Sequence, residues 1–158
     1  MTKVTMRSLI LAFSLASGSA LAADSGPTVQ AAPRDAALER ARDAIAKKDW
    51  AGAQSVLRDA VAREPRNADY HNLYAYANRK TPNPDMSLVF KHYNEALSLD
   101  PKHRGAHEYI GEAYLMVNNL PKAKEHLGAL DKLCFFPCSE YTELKNAIAA
   151  HERKQLAR

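Results

Sequence analysis

Apolar residues recur at helical spacing from position 35 onward, in stretches that are separated by short polar turns. Prolines fall at the boundaries or first turns of these stretches, because proline lacks the N–H donor that a helix interior needs. Asn67 and Ser139 stand at the start of two stretches and are the predicted N-caps. The pattern predicts seven helices, over 35–47, 50–64, 68–79, 85–99, 103–117, 120–133 and 139–156.

The helical stretches repeat along the chain with a period of 34 to 37 residues. The phrase Ala60-Val61-Ala62-Arg63-Glu64-Pro65 aligns with Ala96-Leu97-Ser98-Leu99-Asp100-Pro101, 36 residues later. Each repeat holds two helices, and small residues let the paired helices approach while large residues fill the space between them. The small residues are Ala53, Ala96, Gly111 and Ala123, and the large ones are Leu57, Leu73, Tyr93, Ile110 and Leu127.

These repeats resemble the tetratricopeptide repeat, a helix–turn–helix unit of about 34 residues. Matching residues are Ile110-Gly111, Tyr114 and Ala123 in the third repeat, Tyr93, Ala96 and Pro101 in the second, and Trp50, Ala53, Leu57 and Pro65 in the first. The resemblance implies an all-α, tetratricopeptide-like superhelix of three helix–turn–helix units plus a C-terminal capping helix over 139–156, which makes 35–158 the repeat domain. Three features depart from the family pattern: bulky Tyr74 at a small position, the longer turn over 81–85, and Phe135 in place of a closing proline.

Composition and charge agree with one helical domain and argue against a nucleic-acid partner. The 158 residues are 46% hydrophobic and 25% charged, and β-branched residues are sparse. The formal charge of +4 includes Lys3 and Arg7, which lie in a segment that we expect to be removed, so the mature charge is about +2. That charge is small, and the basic residues are scattered among acidic ones, so we predict no nucleic-acid binding.

The first 34 residues predict export. Lys3 and Arg7, a short apolar run over 9–16 and the Ala20-Leu21-Ala22 site have the order of a secretory signal peptide over 1–22. Residues 23–34 contain Gly26, Pro27 and Pro33 and predict a flexible leader. The motif style is bacterial, so we expect a periplasmic or secreted protein without a membrane span after signal cleavage.

The two cysteines lie in the phrase Cys134-Phe135-Phe136-Pro137-Cys138. In an exported protein a close, even pair predicts a disulfide first, and the bridge would fix the angle between the third repeat and the capping helix. Two alternatives stay open, a redox-active pair and a metal carrier whose third ligand would be His126 or His151. The phrases around the cysteines are similar to the C-terminal end of small exported tetratricopeptide proteins of Gram-negative bacteria.

The remaining polar residues give no positive evidence for an enzyme. His103 and His107 are four residues apart, but position 107 is a large packing position of the repeat, so no metal site is predicted there. Glu108 and Glu112 have the same spacing and are interpreted as groove-lining or solvated charges. Phosphate-binding and nucleophile motifs do not occur, and we predict neither catalysis nor a cofactor.

The family resemblance implies an interaction module, an adaptor or scaffold whose concave groove binds a segment of a protein partner. In that family the first helix of each pair lines the groove. The groove residues implied in this sequence are Arg42, His71, Asn78, Arg79, Glu108, Glu112, Leu115 and Met116. The alternatives are the metal or redox carrier that uses Cys134 and Cys138, and a homo-oligomer that stacks through exposed apolar faces.

Overall fold

The structure of the protein is a computed structural model that describes residues 35–136 and 138–157. The predicted signal peptide, 1–22, and the predicted leader, 23–34, lie outside the described residues. The described part of the chain is all-α and has no strand, as predicted. Its helices are α1 (Ala36–Ala46), α2 (Trp50–Arg63), α3 (Ala68–Arg79), α4 (Met86–Leu99), α5 (Arg104–Met116), α6 (Leu120–Leu133) and α7 (Ser139–Leu156).

Of the seven helices within the described residues, six begin at a side chain that accepts a hydrogen bond from the first turn. Asn67 accepts from the backbone N–H of Tyr70 at 3.3 Å, which confirms this residue as an N-cap. The prediction for Ser139 is wrong, because Cys138 holds the N-cap position in an extended conformation and Ser139 is already the first helical residue. The other capping residues are Asp35, Asp49, Asp85, His103 and Asn119.

The helices pack in pairs that form three repeats: α1 with α2, α3 with α4, and α5 with α6. The first helices of successive repeats also contact each other, α1 with α3 and α3 with α5, and α7 continues this series by packing on α5 and α6. The second helices of the described repeats, α2, α4 and α6, do not contact one another. The array of described repeats is therefore curved, and α1, α3, α5 and α7 line its concave side, which we call the inner face.

The core is divided into three clusters that follow the repeats along the chain. The predicted small residues Ala53, Ala96 and Ala123 are fully buried, as are the large residues Leu57, Tyr93 and Ile110. The predicted large residues Leu73 and Leu127 are only partly buried and pack against the edges of the first and third clusters.

Gly111 shows why a small residue is needed where the capping helix docks. A Cβ atom at this position would lie 2.6 Å from Cδ2 of Leu144, a fully buried residue of α7. The hydrogen of glycine therefore allows α5 and α7 to approach closely.

The predicted departure at Tyr74 is wrong, because His71 and His107 make the same contact to Pro65 and Pro101 and this register puts Ala75, which is fully buried, at the position of Gly111. Tyr74 occupies the neighbouring large position. Its ring packs edge-on against His92 of α4, with the ring centroids 4.8 Å apart, and the tyrosine borders the first core cluster.

Across residues 35–136 and 138–157, every helix falls short of the length and apolarity that crossing a membrane requires.

Candidate functional site

Arg79 lies on the inner face, and its side chain forms hydrogen bonds to two other helices. The residue ends α3, and only 6% of its side chain is exposed. Its Nη2 donates to Oε2 of Glu112 on α5 at 2.6 Å, and its Nε donates to the hydroxyl of Tyr93 on α4 at 3.3 Å. The guanidinium therefore joins three helices, and its charge is already paired with a carboxylate.

Aromatic rings surround this arginine and form a continuous surface on the inner face. The rings of Tyr76 and Tyr109 lie 4.6 Å apart, and the guanidinium carbon of Arg79 is 5.5 Å from the first and 6.0 Å from the second. Trp50, the first residue of α2, adds a ring from outside the first helices, with its centroid 6.2 Å from that of Tyr76. All three rings are partly exposed, so they are accessible to a ligand. We call Trp50, Tyr76 and Tyr109 the aromatic row.

Glu108 lies beside the aromatic row and is 4% exposed. Burial, followed by the nearby carboxylates Glu143 and Glu112, raises the pKa of Glu108 to about 8. A hydrogen bond to Glu143 of α7 contributes to this rise in pKa. Near neutral pH Glu108 is therefore largely protonated, and its protonated carboxyl donates in this hydrogen bond.

The capping helix supplies the other carboxylates at this place. Glu143 is exposed, and Glu140 lies with its Oε1 3.6 Å from Nε of Arg104 at the start of α5. Four carboxyl side chains thus lie together near the Tyr109 end of the aromatic row, with Arg79 and Arg104 among them. We call Glu108, Glu112, Glu140 and Glu143 the carboxylate cluster.

The structure brings together four of the eight groove residues that the family resemblance implies. Arg79, Glu108, Glu112 and Met116 lie in one region, and Met116 reaches Nη1 of Arg79 with its sulfur at 3.9 Å. The other four are placed as follows: Arg42 is exposed on α1, Asn78 donates to the carbonyl of Tyr74 in its own helix, Leu115 packs against the third core cluster, and His71 is buried against α4.

Sequence reasoning missed the aromatic row and the carboxylates of α7. The family positions point to the middle of each first helix, whereas Glu140 and Glu143 come from a helix outside the three repeats. The available signal was the place of α7 in the chain, because a helix that follows three pairs occupies the position of a further first helix and so lines the inner face.

The cysteine loop lies between α6 and α7, away from the first helices of the repeats. The sulfur atoms of Cys134 and Cys138 are at bonding distance, 2.05 Å, and the Cα atoms are 5.8 Å apart. Phe135 and Phe136 between them are 94% and 75% exposed. His126 contacts His107 and His151 contacts Gln155, and within 35–136 and 138–157 no three His, Cys, Asp or Glu side chains gather as a metal-binding group.

Comparison with known protein families and solved structures finds proteins of similar fold. A family model described as tetratricopeptide repeat matches residues 38–85, which include α2 and α3. The TPR2B domain of yeast Sti1, from a structure titled as its complex with pHsp70, is 20% identical with a TM-score of 0.66, and the match covers 75% of this chain and 94% of that one. The type III secretion translocator chaperone SycD of Yersinia enterocolitica is 14% identical with a TM-score of 0.65, and the match covers 75% of this chain and 83% of that one. No curated protein sequence matches the chain.

Proposed function

The chain is a tetratricopeptide-repeat protein, and from that premise we propose that it is a protein–protein interaction module whose inner face binds a segment of a partner protein. The observation that carries the proposal is the aromatic row beside the carboxylate cluster, on the concave side of the superhelix. Two proteins of the same fold support it, because one is titled in complex with another protein and the other is titled a chaperone.

The chemistry of the inner face favours a segment that carries lysine or arginine. Partly exposed tyrosine rings attract cations through their faces, and Arg79 already lies against two of them. Four carboxyl groups lie there, of which Glu112 is paired with Arg79 and Glu140 with Arg104. This leaves Glu108 and Glu143 for a ligand. An ammonium or guanidinium group would replace the proton of Glu108 and would form charge-assisted hydrogen bonds with both side chains.

Proton release gives this binding a pH dependence with a definite sign. Because the pKa of Glu108 is about 8, its carboxylate form is scarce near neutral pH and becomes dominant above pH 8. A cationic segment binds the carboxylate form, so its affinity should increase as the pH rises from 7 to 9.

We also propose that the protein acts in the periplasm or outside the cell. The support is the pattern of positive, apolar and Ala-x-Ala segments over 1–22. The mass of the chain recovered from a periplasmic fraction tests this proposal, since cleavage after Ala22 removes a known mass.

A displayed library of random peptides, selected on the full chain, tests the binding proposal. We expect the selected peptides to be rich in lysine or arginine and to lose about tenfold in affinity on Glu143→Lys, which is about 1.4 kcal/mol. Glu143 is exposed, so the substitution leaves the core intact. The matched control is Glu95→Lys, the same charge reversal at an exposed position of α4, which should leave affinity within about twofold.

Two results would contradict the assignment of the inner face. One is a set of peptides that bind Glu143→Lys and Glu95→Lys equally well. The other is a set without basic residues whose binding survives Tyr109→Ala, because such peptides would use neither the carboxylates nor the aromatic row.

A further inference from the structure

The second and third repeats each contain a pair of histidines that join the two helices of the repeat. In the second repeat, Nδ1 of His71 on α3 lies 2.8 Å from Nδ1 of His92 on α4. In the third, Nδ1 of His107 on α5 lies 2.9 Å from Nδ1 of His126 on α6. The pairs occupy equivalent positions of the repeat, because His71 and His107 are 36 residues apart, as are Pro65 and Pro101.

A backbone carbonyl fixes which ring nitrogen carries hydrogen in the first member of each pair. Nε2 of His71 lies 3.0 Å from the carbonyl oxygen of Pro65, and Nε2 of His107 lies 3.1 Å from that of Pro101. A carbonyl oxygen only accepts, so each of these Nε2 atoms is a donor. In the neutral ring Nδ1 is then the acceptor, and the facing Nδ1 of His92 or His126 donates to it.

This arrangement has room for one proton between the two facing nitrogens and not for two. A second proton at that place would point two N–H groups at each other across less than 3 Å. A proton added elsewhere on the rings would create a positive charge away from bulk water, since His71 and His92 are buried and His107 and His126 are partly buried.

The charges around the pairs offer little compensation for such a cation. The groups whose charge acts on His92 are His71 of α3 and Lys91 of its own helix, and both oppose a positive charge. Those that act on His126 are His107 of α5, which opposes, Glu125, which favours, and Lys122, which opposes. Burial first, and then the facing histidine, lowers the pKa of both His92 and His126 to about 4.

We propose that the two histidine pairs are acid-sensitive latches, closed with one shared proton near neutral pH and opened by further protonation, which separates the paired helices of the second and third repeats. The latches are built into the repeats that carry Arg79, Glu108 and Glu112, so their opening would also disturb the inner face. This regulation goes beyond the binding function and does not depend on the identity of the partner.

The direction of the pH effect follows from the two protonation states. The pKa of His92 and His126 is about 4 in the folded chain and near 6.5 in the unfolded one, so the unfolded chain binds more protons between these values. The latches therefore lose stability as the pH falls from about 6.5 to about 4.

The first experiment compares urea unfolding of the full chain with that of His92→Asn/His126→Asn, at several pH values from 7.5 to 4.5. The asparagine Nδ2 takes the place of the ring Nδ1 and donates the same hydrogen bond, but it does not titrate. Glu108 contributes stability of the opposite sign over this range in both proteins, so the comparison is between their midpoints. We expect the wild-type midpoint to fall relative to that of the double variant as the pH is lowered. The control His151→Asn, which changes a histidine of α7 outside the pairs, should retain the wild-type dependence.

The second experiment needs no variant and reads the ring nitrogens of the wild-type protein by long-range ¹H–¹⁵N NMR at pH 7. We expect Nε2–H rings at His71 and His107 and Nδ1–H rings at His92 and His126. The proposal is overturned if both members of a pair carry hydrogen on the same kind of nitrogen, or if the folded double variant keeps the full wild-type dependence on pH.

Discussion

Glu108 shows at the scale of one residue how packing sets chemistry. Its carboxyl group is buried against Glu143 of the capping helix, and its pKa is raised to about 8. In the unfolded chain the same carboxyl has a pKa near 4.5, so the folded state binds more protons between these two values. The stability that the protonated form provides is complete below pH 4.5 and is lost as the pH rises through 8.

Glu108→Gln should therefore stabilise the protein selectively in alkaline solution. The neutral amide resembles the protonated carboxyl in shape and does not ionise. We expect the free energy of unfolding of the variant to exceed that of wild type by a margin that grows by about 4 kcal/mol from pH 5 to pH 9. Urea unfolding measures it, and a margin that stays constant with pH would show that Glu108 is ionised in the folded protein.

Single residues also mark where sequence reasoning was insufficient. The family positions assign Arg79 and Glu112 to the groove, but nothing in their spacing shows that the two side chains pair with each other at 2.6 Å. That contact depends on the distance between α3 and α5. His71 was expected in the groove and is buried instead, because its ring bonds to the Pro65 carbonyl and to His92. The signal for this pairing was present, since histidines recur at equivalent positions of two repeats.

At the scale of helices, Gly111 and Gly128 provide a matched pair of substitutions. A Cβ atom at Gly111 of α5 would lie 2.6 Å from buried Leu144, whereas a Cβ at Gly128 of α6 meets nothing within 4 Å. Alanine in a helix gains up to about 1 kcal/mol over glycine, and overpacking a core costs about 1–3 kcal/mol. We expect Gly128→Ala to stabilise the protein and Gly111→Ala to destabilise it by about 1 kcal/mol, as measured by urea unfolding.

The sign of the Gly111 result is the decisive part of that prediction. Stabilisation by both substitutions would mean that Leu144 moves aside and that α7 does not need glycine beneath it. A loss of stability for Gly111→Ala with a gain for Gly128→Ala would support the close docking of α7 on α5.

The loop between α6 and α7 carries a prediction about oxidation. Export would place the thiols of Cys134 and Cys138 in an oxidising compartment, and the structure has their sulfurs at bonding distance. Replacing both cysteines with serine should cost about 2 kcal/mol and lower Tm by several degrees, while the helices persist. Intact-mass analysis of unreduced periplasmic protein checks the bond directly. Two thiols that react freely with an alkylating agent would contradict it and would revive the metal or redox carrier.

Helix positions were the part of the structure most accessible from sequence. The predicted bounds differ from the observed ones by at most one residue at either end, because prolines, capping side chains and the spacing of apolar residues all mark the same limits. The exception in detail is the start of α7, where Ser139 was expected to cap and Cys138 occupies that position without a side-chain bond. The cysteine loop sets that boundary, and a loop conformation is not encoded in helical periodicity.

For the whole molecule, the repeat period predicted the fold, and the family model and structural comparisons confirm it. The period cannot give the angle at which the last helix docks. That angle brings Glu143 to Glu108 and so determines the charge of the inner face. The chemistry of the proposed binding surface could therefore not be obtained by transferring family positions alone.

The division of the core into three clusters has a consequence for cooperativity. Each helix packs only on near neighbours in the chain, and α1 and α2 share one cluster that is centred on the first repeat. Stability in such an array is approximately the sum of repeat and interface contributions, so order can be lost from one end without a global transition. We therefore expect the N-terminal repeat to open locally, at a lower free energy than global unfolding, while α5, α6 and α7 remain folded around Leu144.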